Sequence, residues 1–459
     1  MALSPPTSRE FVLVAFLLVG LVSFYYYMPD SQRTLVSVPR PWSAPLDYTR
    51  KTVQNEAKLG LIETSRDRSG WSIFDRLYIY KGVVFIVTDR PETIPELSAI
   101  YSKGIDIEVG EEAEMARLPD DGDIRIISTA GAKTLFGSGA GLLDGVSFLV
   151  NDPRNSFATI ITGPQNSGSA SGEHTRRWTA LFLPRGNTTL PSPRRMWFNR
   201  LDAFRWRDYS EMNQWVVRSS FPELTMEFID DWDDRANMGV AFVFERVVLA
   251  DRSAAMPGLN YQRYQRTAAT AFGLPGSAYW WSSIRNNVVK FAGLDPEEGS
   301  STMTRPVITY VSRQSWGRRM LIQADHEQLV AELDKIGSIY GYEINVVEAE
   351  NMSRLEQLQL AARTTILMGV HGNGLTSLLW MKPSRRSTVI EFFFEGGFAH
   401  DYEWTSRALG ITHYAFTSPD IPIPSYPKGF QGNSIAVDGA MVAALCVRRL
   451  ELEEDVDEG

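Results

Sequence analysis

A single cysteine, Cys446, occurs in the 459 residues. One thiol excludes an intramolecular disulfide and any zinc site built from several thiolates. A basic excess is also missing: the formal net charge is −9. That argues against a nucleic-acid partner, whose phosphates would call for a surplus of Lys and Arg. Histidine is scarce, with five in the chain, so imidazole chemistry has few candidates. No repeat at a fixed period is present. What remains is a chain with 44% hydrophobic residues, long enough to bury large cores and to form two domains or more.

Long uncharged runs are rare, and one stands near the N-terminus. Phe11 to Met28 carries no charge and lies between Arg9-Glu10 and Pro29-Asp30. At 1.5 Å rise per residue such a run reaches about 27 Å, enough to cross a hydrocarbon core. Tyr25-Tyr26-Tyr27 suits an interfacial aromatic belt better than a cleavage site. The expectation is a single-pass anchor over 11–28, with 1–10 as a short cytoplasmic tail and the bulk of the chain in the lumen. A cleaved signal peptide is the rival. Residues 29–70, rich in Pro, Ser, Arg and Asp, read as a stem. Asn187-Thr-Thr and Asn351-Met-Ser are glycosylation sequons, a pattern too common to decide the compartment.

Residues 71–300 read as an N-terminal α/β domain whose strands have no evident order. Apolar runs stand at Val83–Thr88, Ile124–Ser128, Val146–Val150, Arg195–Phe198 and Val240–Leu249, with a helix-like pattern at Trp178–Leu183. Residues 301–420 are more regular. Strand patterns at Val307–Val311, Ile344–Val347, Thr365–Val370, Val389–Phe394 and His413–Phe416 alternate with helix patterns at Asp325–Tyr340, Ser353–Arg363, Asn373–Met381 and His400–Leu409. Alternation of this kind implies parallel strands with helices on both faces. Ligands of such sheets bind at the carboxyl ends of the strands. Residues 421–459 read as a C-terminal segment ending in a solvated acidic tail.

The chemistry concentrates at Gly369-Val-His-Gly-Asn-Gly-Leu-Thr376. A strand ends, a glycine-spaced turn follows, and a helix pattern begins, so free N–H groups point at an anion above the sheet edge. Gly372 and Gly374 would let a phosphate approach the backbone, with His371, Asn373, Leu375 and Thr376 around it. Arg313, Arg318 and Arg319 follow the first strand of this half. Guanidinium groups clamp a diphosphate in bidentate geometry without a metal, although Arg318-Arg319 could equally be a solvated pair. His371 could donate to a phosphate or a sugar hydroxyl, or simply cap the turn. Glu391 lies where an acidic residue commonly holds ribose hydroxyls, with Glu395 as competitor.

These segments resemble glycosyltransferase family 61. Tyr310-Val-Ser-Arg-Gln-Ser-Trp-Gly-Arg-Arg319 is similar to the family's strand-end arginine and arginine pair. Gly369–Thr376 resembles its His-Gly-x-Gly-Leu-Thr/Ser turn, and Val389-Ile-Glu391 its next strand. Gly172-Glu-His174 and Phe244–Arg252 resemble fungal-type members in particular. Where the family often has Asn-Glu after the double arginine, this chain has Gln323-Ala-Asp325. The resemblance implies a type-B glycosyltransferase architecture, two Rossmann-like α/β domains facing a cleft. It implies a nucleotide-sugar donor, UDP-linked in such a family, and inverting transfer to a glycan or glycoprotein. A Golgi or endoplasmic reticulum membrane protein of type II is the matching location. Inversion needs a base for the acceptor hydroxyl, and His174 and Glu173 are the candidates.

No cofactor is then required. A competing reading is a type-A enzyme in which Asp231 and Asp233, within Asp230-Asp-Trp-Asp-Asp234, hold Mn2+ or Mg2+ against the donor phosphates. Another is a non-catalytic glycan-binding protein on a degenerate transferase fold.

Overall fold

The computed structural model describes residues 70–106, 111–137, 139–153, 192–207, 212–251, 253–254, 281–296, 305–416, 425 and 427–452. All of them belong to one contact unit, Asp47–Gly459. Among them no helix is long and apolar enough to cross a membrane. The run 11–28, the helix pattern at Trp178–Leu183, Asn187, Glu173 and His174 lie outside the described residues.

Two sheets organise the chain. The first has eight strands: β1 (Trp71–Asp75), β2 (Tyr78–Tyr80), β3 (Val83–Val87), β4 (Ile124–Ile127), β5 (Ala140–Val150), β6 (Arg195–Phe198), β7 (Thr225–Glu227) and β8 (Ala241–Ala250). Their order is β4-β3-β2-β8-β5-β6-β7, with β1 beside β8. β1 and β2 run antiparallel to β8 and share one of its edges. Arg76, at φ 67, bends the chain between them. β3 to β8 all run the same way, so their carboxyl ends collect on one edge.

The second sheet is wholly parallel: β9 (Val307–Val311), β10 (Glu343–Val347), β11 (Ile366–Val370), β12 (Thr388–Phe392) and β13 (Thr412–Phe416), in the order β10-β9-β11-β12-β13. This is the doubly wound order whose switch point falls between the first and third strands, here β9 and β11. β9, β11 and β12 are buried along their whole length, as strands covered on both faces must be. Ile308, Met368 and Ile390 face one layer, packed on the helices Gln323–Tyr340 and Gly439–Leu450. Val311, Leu367 and Val389 face the other. That second layer is continuous with Phe148, Phe198 and Val248 of the first sheet. The helices Asn213–Ser220, Ser282–Phe291 and Arg354–Arg363 contribute to it.

The expected elements of residues 301–420 are present within a residue or two of their bounds, with one difference in kind. Asn373–Trp380 is a 3₁₀ helix rather than an α-helix. Ser353 caps its helix as a capping box, its Oγ accepting from Glu356 N at 3.2 Å and Glu356 Oε2 accepting from Ser353 N at 2.7 Å. Within residues 421–459, Gly439–Leu450 is a helix that buries Val442, Leu445 and Cys446. The Asp230–Asp234 run lies in the helix Ile229–Asn237, whose one buried residue is Trp232. The sequence shows no helix there because so polar a segment has almost no apolar period to detect.

Candidate active site

The switch point brings together the ends of β9 and β11. Beyond β9 the chain loops through Ser312–Arg318, tied by Gln314, whose Oε1 accepts from Leu321 N at 3.0 Å. The loop ends at Arg319, which adopts a left-handed φ of 53. Its Nε donates to Gln431 Oε1 at 2.8 Å and its Nη1 to the His371 carbonyl at 3.1 Å. The Phe430 ring lies 5.4 Å from the guanidinium carbon. Arg319 is therefore locked against the turn that follows β11.

Arg313 approaches the same turn. Its guanidinium stands 5.8 Å from the Trp316 ring. A Cβ on Gly372 would collide with Arg313 Nη1 and would lie 3.3 Å from Arg319 Nη1. Two cationic side chains thus converge over one glycine. Gly372 also has φ 149, a conformation that side chains other than glycine's rarely adopt. Burial pushes the Arg313 guanidinium below its ordinary range, with Arg319 adding repulsion and Tyr402 some attraction. Its buried Nε has no hydrogen-bond partner among the described residues. Like charges packed this closely, with a donor left over, are expensive unless an anion joins them.

The predicted residues therefore separate. Arg313, Arg319, His371 and Gly372 meet at one place. Arg318 is exposed and contributes to Arg313 only as a further positive charge. Asn373 is half-buried at the start of the 3₁₀ helix. Gly374 does not serve ligand approach, since a Cβ there would press on Val311 Cγ1 at 2.7 Å; it lets the 3₁₀ helix sit close on β9. Leu375 is fully buried in the apolar core, so it cannot contact a polar donor. Thr376 is buried, with an Oγ1 that has no partner among the described residues.

Glu391 requires a correction. It is not free to hold ribose, because it is completely buried and both its oxygens are occupied. His371 Nδ1 meets Oε1 at 2.6 Å, and His413 Nε2 meets Oε2 at 2.8 Å. The register explains the meeting: Gly369 pairs with Glu391 and Val389 with His413, so strand alternation turns all three side chains to one face. Burial raises the Glu391 carboxyl, but the two histidine hydrogen bonds outweigh it and hold the group below its ordinary value. His371 is further enclosed by Phe393, Tyr402 and Phe430, at ring distances of 5.2, 5.6 and 5.7 Å. His413 was not among the candidates, since nothing in its own neighbourhood of the sequence points to a site. The other described histidines are bonded elsewhere: His326 Nδ1 to Tyr310 Oη at 3.1 Å and His400 Nδ1 to Glu403 at 2.8 Å.

Asp231 and Asp233 do not form a pair. On a helix, positions two apart point to nearly opposite sides. Asp231 Oδ2 is also spent on the helix start, accepting from Phe228 N at 2.7 Å.

The first sheet has a polar edge of its own. Asn151, Asn199 and Asp251 follow β5, β6 and β8 directly. Asp251, fully buried, accepts from Ser102 N at 2.6 Å, Ser102 Oγ at 2.8 Å, Asn151 Nδ2 at 2.6 Å and Ala254 N at 2.8 Å. Asn199 Nδ2 donates to Tyr101 Oη at 2.8 Å and Asn151 Oδ1 at 3.1 Å. Asn199 Oδ1, in the same cluster, is buried with no partner among the described residues.

A sequence profile described as Glycosyltransferase 61 matches residues 159–390. The matched span includes Arg313, Arg319 and the turn at Gly372, and it stops short of Glu391 and His413. No curated protein matches the chain.

Proposed function

Because the chain belongs to glycosyltransferase family 61, we propose that it transfers a sugar from a UDP-linked donor to a glycan or glycoprotein acceptor, with inversion and without a metal. The observation that carries this reading is the convergence of Arg313 and Arg319 on Gly372 at the switch point. A diphosphate there would neutralise both guanidinium groups and offer an acceptor to the Arg313 Nε. The acceptor oxygen bonds to the anomeric carbon while the bond from that carbon to the diphosphate breaks. The electron pair leaves with the diphosphate, which the arginines stabilise, and the acceptor proton passes to a base. His174 and Glu173 remain the proposed base, and the cleft between two nucleotide-sugar-transferase domains the proposed setting. The proposed location is the Golgi or endoplasmic reticulum membrane, with 11–28 as the anchor.

The test is release of UDP from a panel of UDP-sugars, with and without EDTA. Turnover that survives EDTA and falls in Arg313→Ala supports the proposal. Turnover abolished by EDTA and restored by Mn2+ would overturn the metal-free part of the proposal. Binding of UDP-sugars with no turnover, even with a mixture of glycan acceptors, would favour a non-catalytic glycan-binding protein.

A further inference from the structure

We infer that His413 is a positioning residue which, through Glu391, holds the His371 ring with its Nε2 lone pair ready to accept a hydrogen bond from a hydroxyl of the donor sugar, the acceptor proton itself passing to the base proposed above. The inference rests on the proposed transfer reaction for the identity of that substrate, a hydroxylated sugar, and on geometry for the rest. Glu391 stands between the two imidazoles, 2.6 Å from His371 Nδ1 and 2.8 Å from His413 Nε2. The side chains of His371, Glu391 and His413 are 5%, 0% and 3% exposed, so water does not compete for these bonds. An ionised carboxylate only accepts hydrogen bonds, and each ring nitrogen facing it must therefore carry the hydrogen. Neutral His371 is then protonated at Nδ1 and presents Nε2 as an acceptor.

The surroundings reinforce this assignment. Arg319 Nη1 donates to the carbonyl of His371 itself, and Arg313 lies over the next residue. These contacts hold the backbone that carries the ring. On the far side His413 faces Glu391 and Glu403; Glu403 also takes His400 at 2.8 Å and Arg407 at 3.1 Å. Glu391 is thus held ionised from both ends. Without His413 one of its oxygens would be buried and unbonded, a costly state that protonation relieves. A protonated Glu391 could donate to Nδ1, moving the His371 hydrogen to Nε2. The ring would then offer a donor to the sugar hydroxyl in place of an acceptor.

The experiment compares His413→Leu, which removes the donor, with His413→Gln, whose amide retains one. If the leucine variant does not fold, His413→Asn, too short to reach Glu391, carries the same expectation. The first readout is the His371 ring tautomer, from 15N shifts of the labelled full-length protein without substrate. The second is kcat and KM for UDP release from UDP-sugars. The leucine variant is expected to move the His371 hydrogen toward Nε2 and to lower kcat about 10- to 100-fold, the usual effect of losing such a supporting partner. KM should stay within about twofold and the glutamine variant should recover most of the loss, as a held acceptor requires. An unmoved tautomer, an unmoved kcat, or equal loss in both variants would overturn the inference. A wild type inactive on every UDP-sugar, with the tautomer still shifting in the leucine variant, would refute the transferase reading and leave this one standing.

Discussion

The carboxyl edge of the first sheet and that of the second are built from similar parts and resolved in opposite ways. At the first, Asp251 is surrounded by four donors from Ser102, Asn151 and Ala254. Its carboxylate is satisfied and fastens the ends of β5 and β8, although Asn199 Oδ1 beside it has no partner among the described residues. At the second, Arg313 and Arg319 share the space over Gly372, and the buried Arg313 Nε has no partner among the described residues. The positive charge there is left for something else to complete. Buried charges are normally satisfied, so a charge that the fold itself hydrogen-bonds reads as structure and one left short of partners as a candidate site. Position at a strand end does not by itself distinguish the two. What distinguishes them is whether the charged group finds its hydrogen-bond partners within the fold.

The sharpest way to break that contrast is to remove one member from each edge. Arg313→Ala should lower UDP-sugar turnover by about 30- to 1000-fold, the loss of about 2–4 kcal/mol of transition-state stabilisation. Its denaturation midpoint should hold or rise, since a buried and repelled guanidinium is gone. A normal turnover with a lowered midpoint would place Arg313 in the structural class instead.

Asp251→Ala should show the reverse. Its donors would be left in a buried place without an acceptor, costing about 2–3 kcal/mol of unfolding free energy in urea. UDP affinity should be unchanged. A stability loss under about 0.5 kcal/mol would mean that the cluster does not fasten the edge.

The Glu391 hydrogen bonds sharpen the comparison through pH. Its folded carboxyl lies below the ordinary 4.5, so the folded chain binds fewer protons than the unfolded one. The stabilisation is fully present above 4.5 and disappears as pH falls through the lower folded value. The difference in unfolding free energy between wild type and Glu391→Gln should be flat above that point and shrink below it. A difference that instead grew on acidification would contradict the assigned state of Glu391.

The smallest effect is expected at Arg318. It is exposed, and a solvated charge near an anion contributes less than about 1 kcal/mol. Arg318→Ala should reduce turnover by less than about fivefold, and only at low salt. A loss as large as that of Arg313→Ala would show that Arg318 closes onto the ligand.

Much of the second sheet could be read in advance. Val307–Val311 and Thr388–Phe392 are β-branched runs between helix patterns, and each unit is local in the chain. Part of the candidate site was legible for the same reason, since the strand-end arginines and the glycine turn are contiguous motifs. Individual roles were less so. Leu375 stands beside the glycine turn in sequence, yet the 3₁₀ helix turns it into the core. Glu391 has the position of a ribose-binding residue, but two histidines on neighbouring strands claim its oxygens.

By itself the sequence determined the family, the alternating units of residues 301–420 and the glycine turn with its arginines, because these depend on residues adjacent in the chain. The tertiary structure alone decided which arginines converge. It also joined His371, Glu391 and His413, and it closed the polar edge around Asp251, which bonds to Ser102 from 149 positions away. Such contacts are set by strand register and by the packing of whole layers, and a linear pattern carries neither.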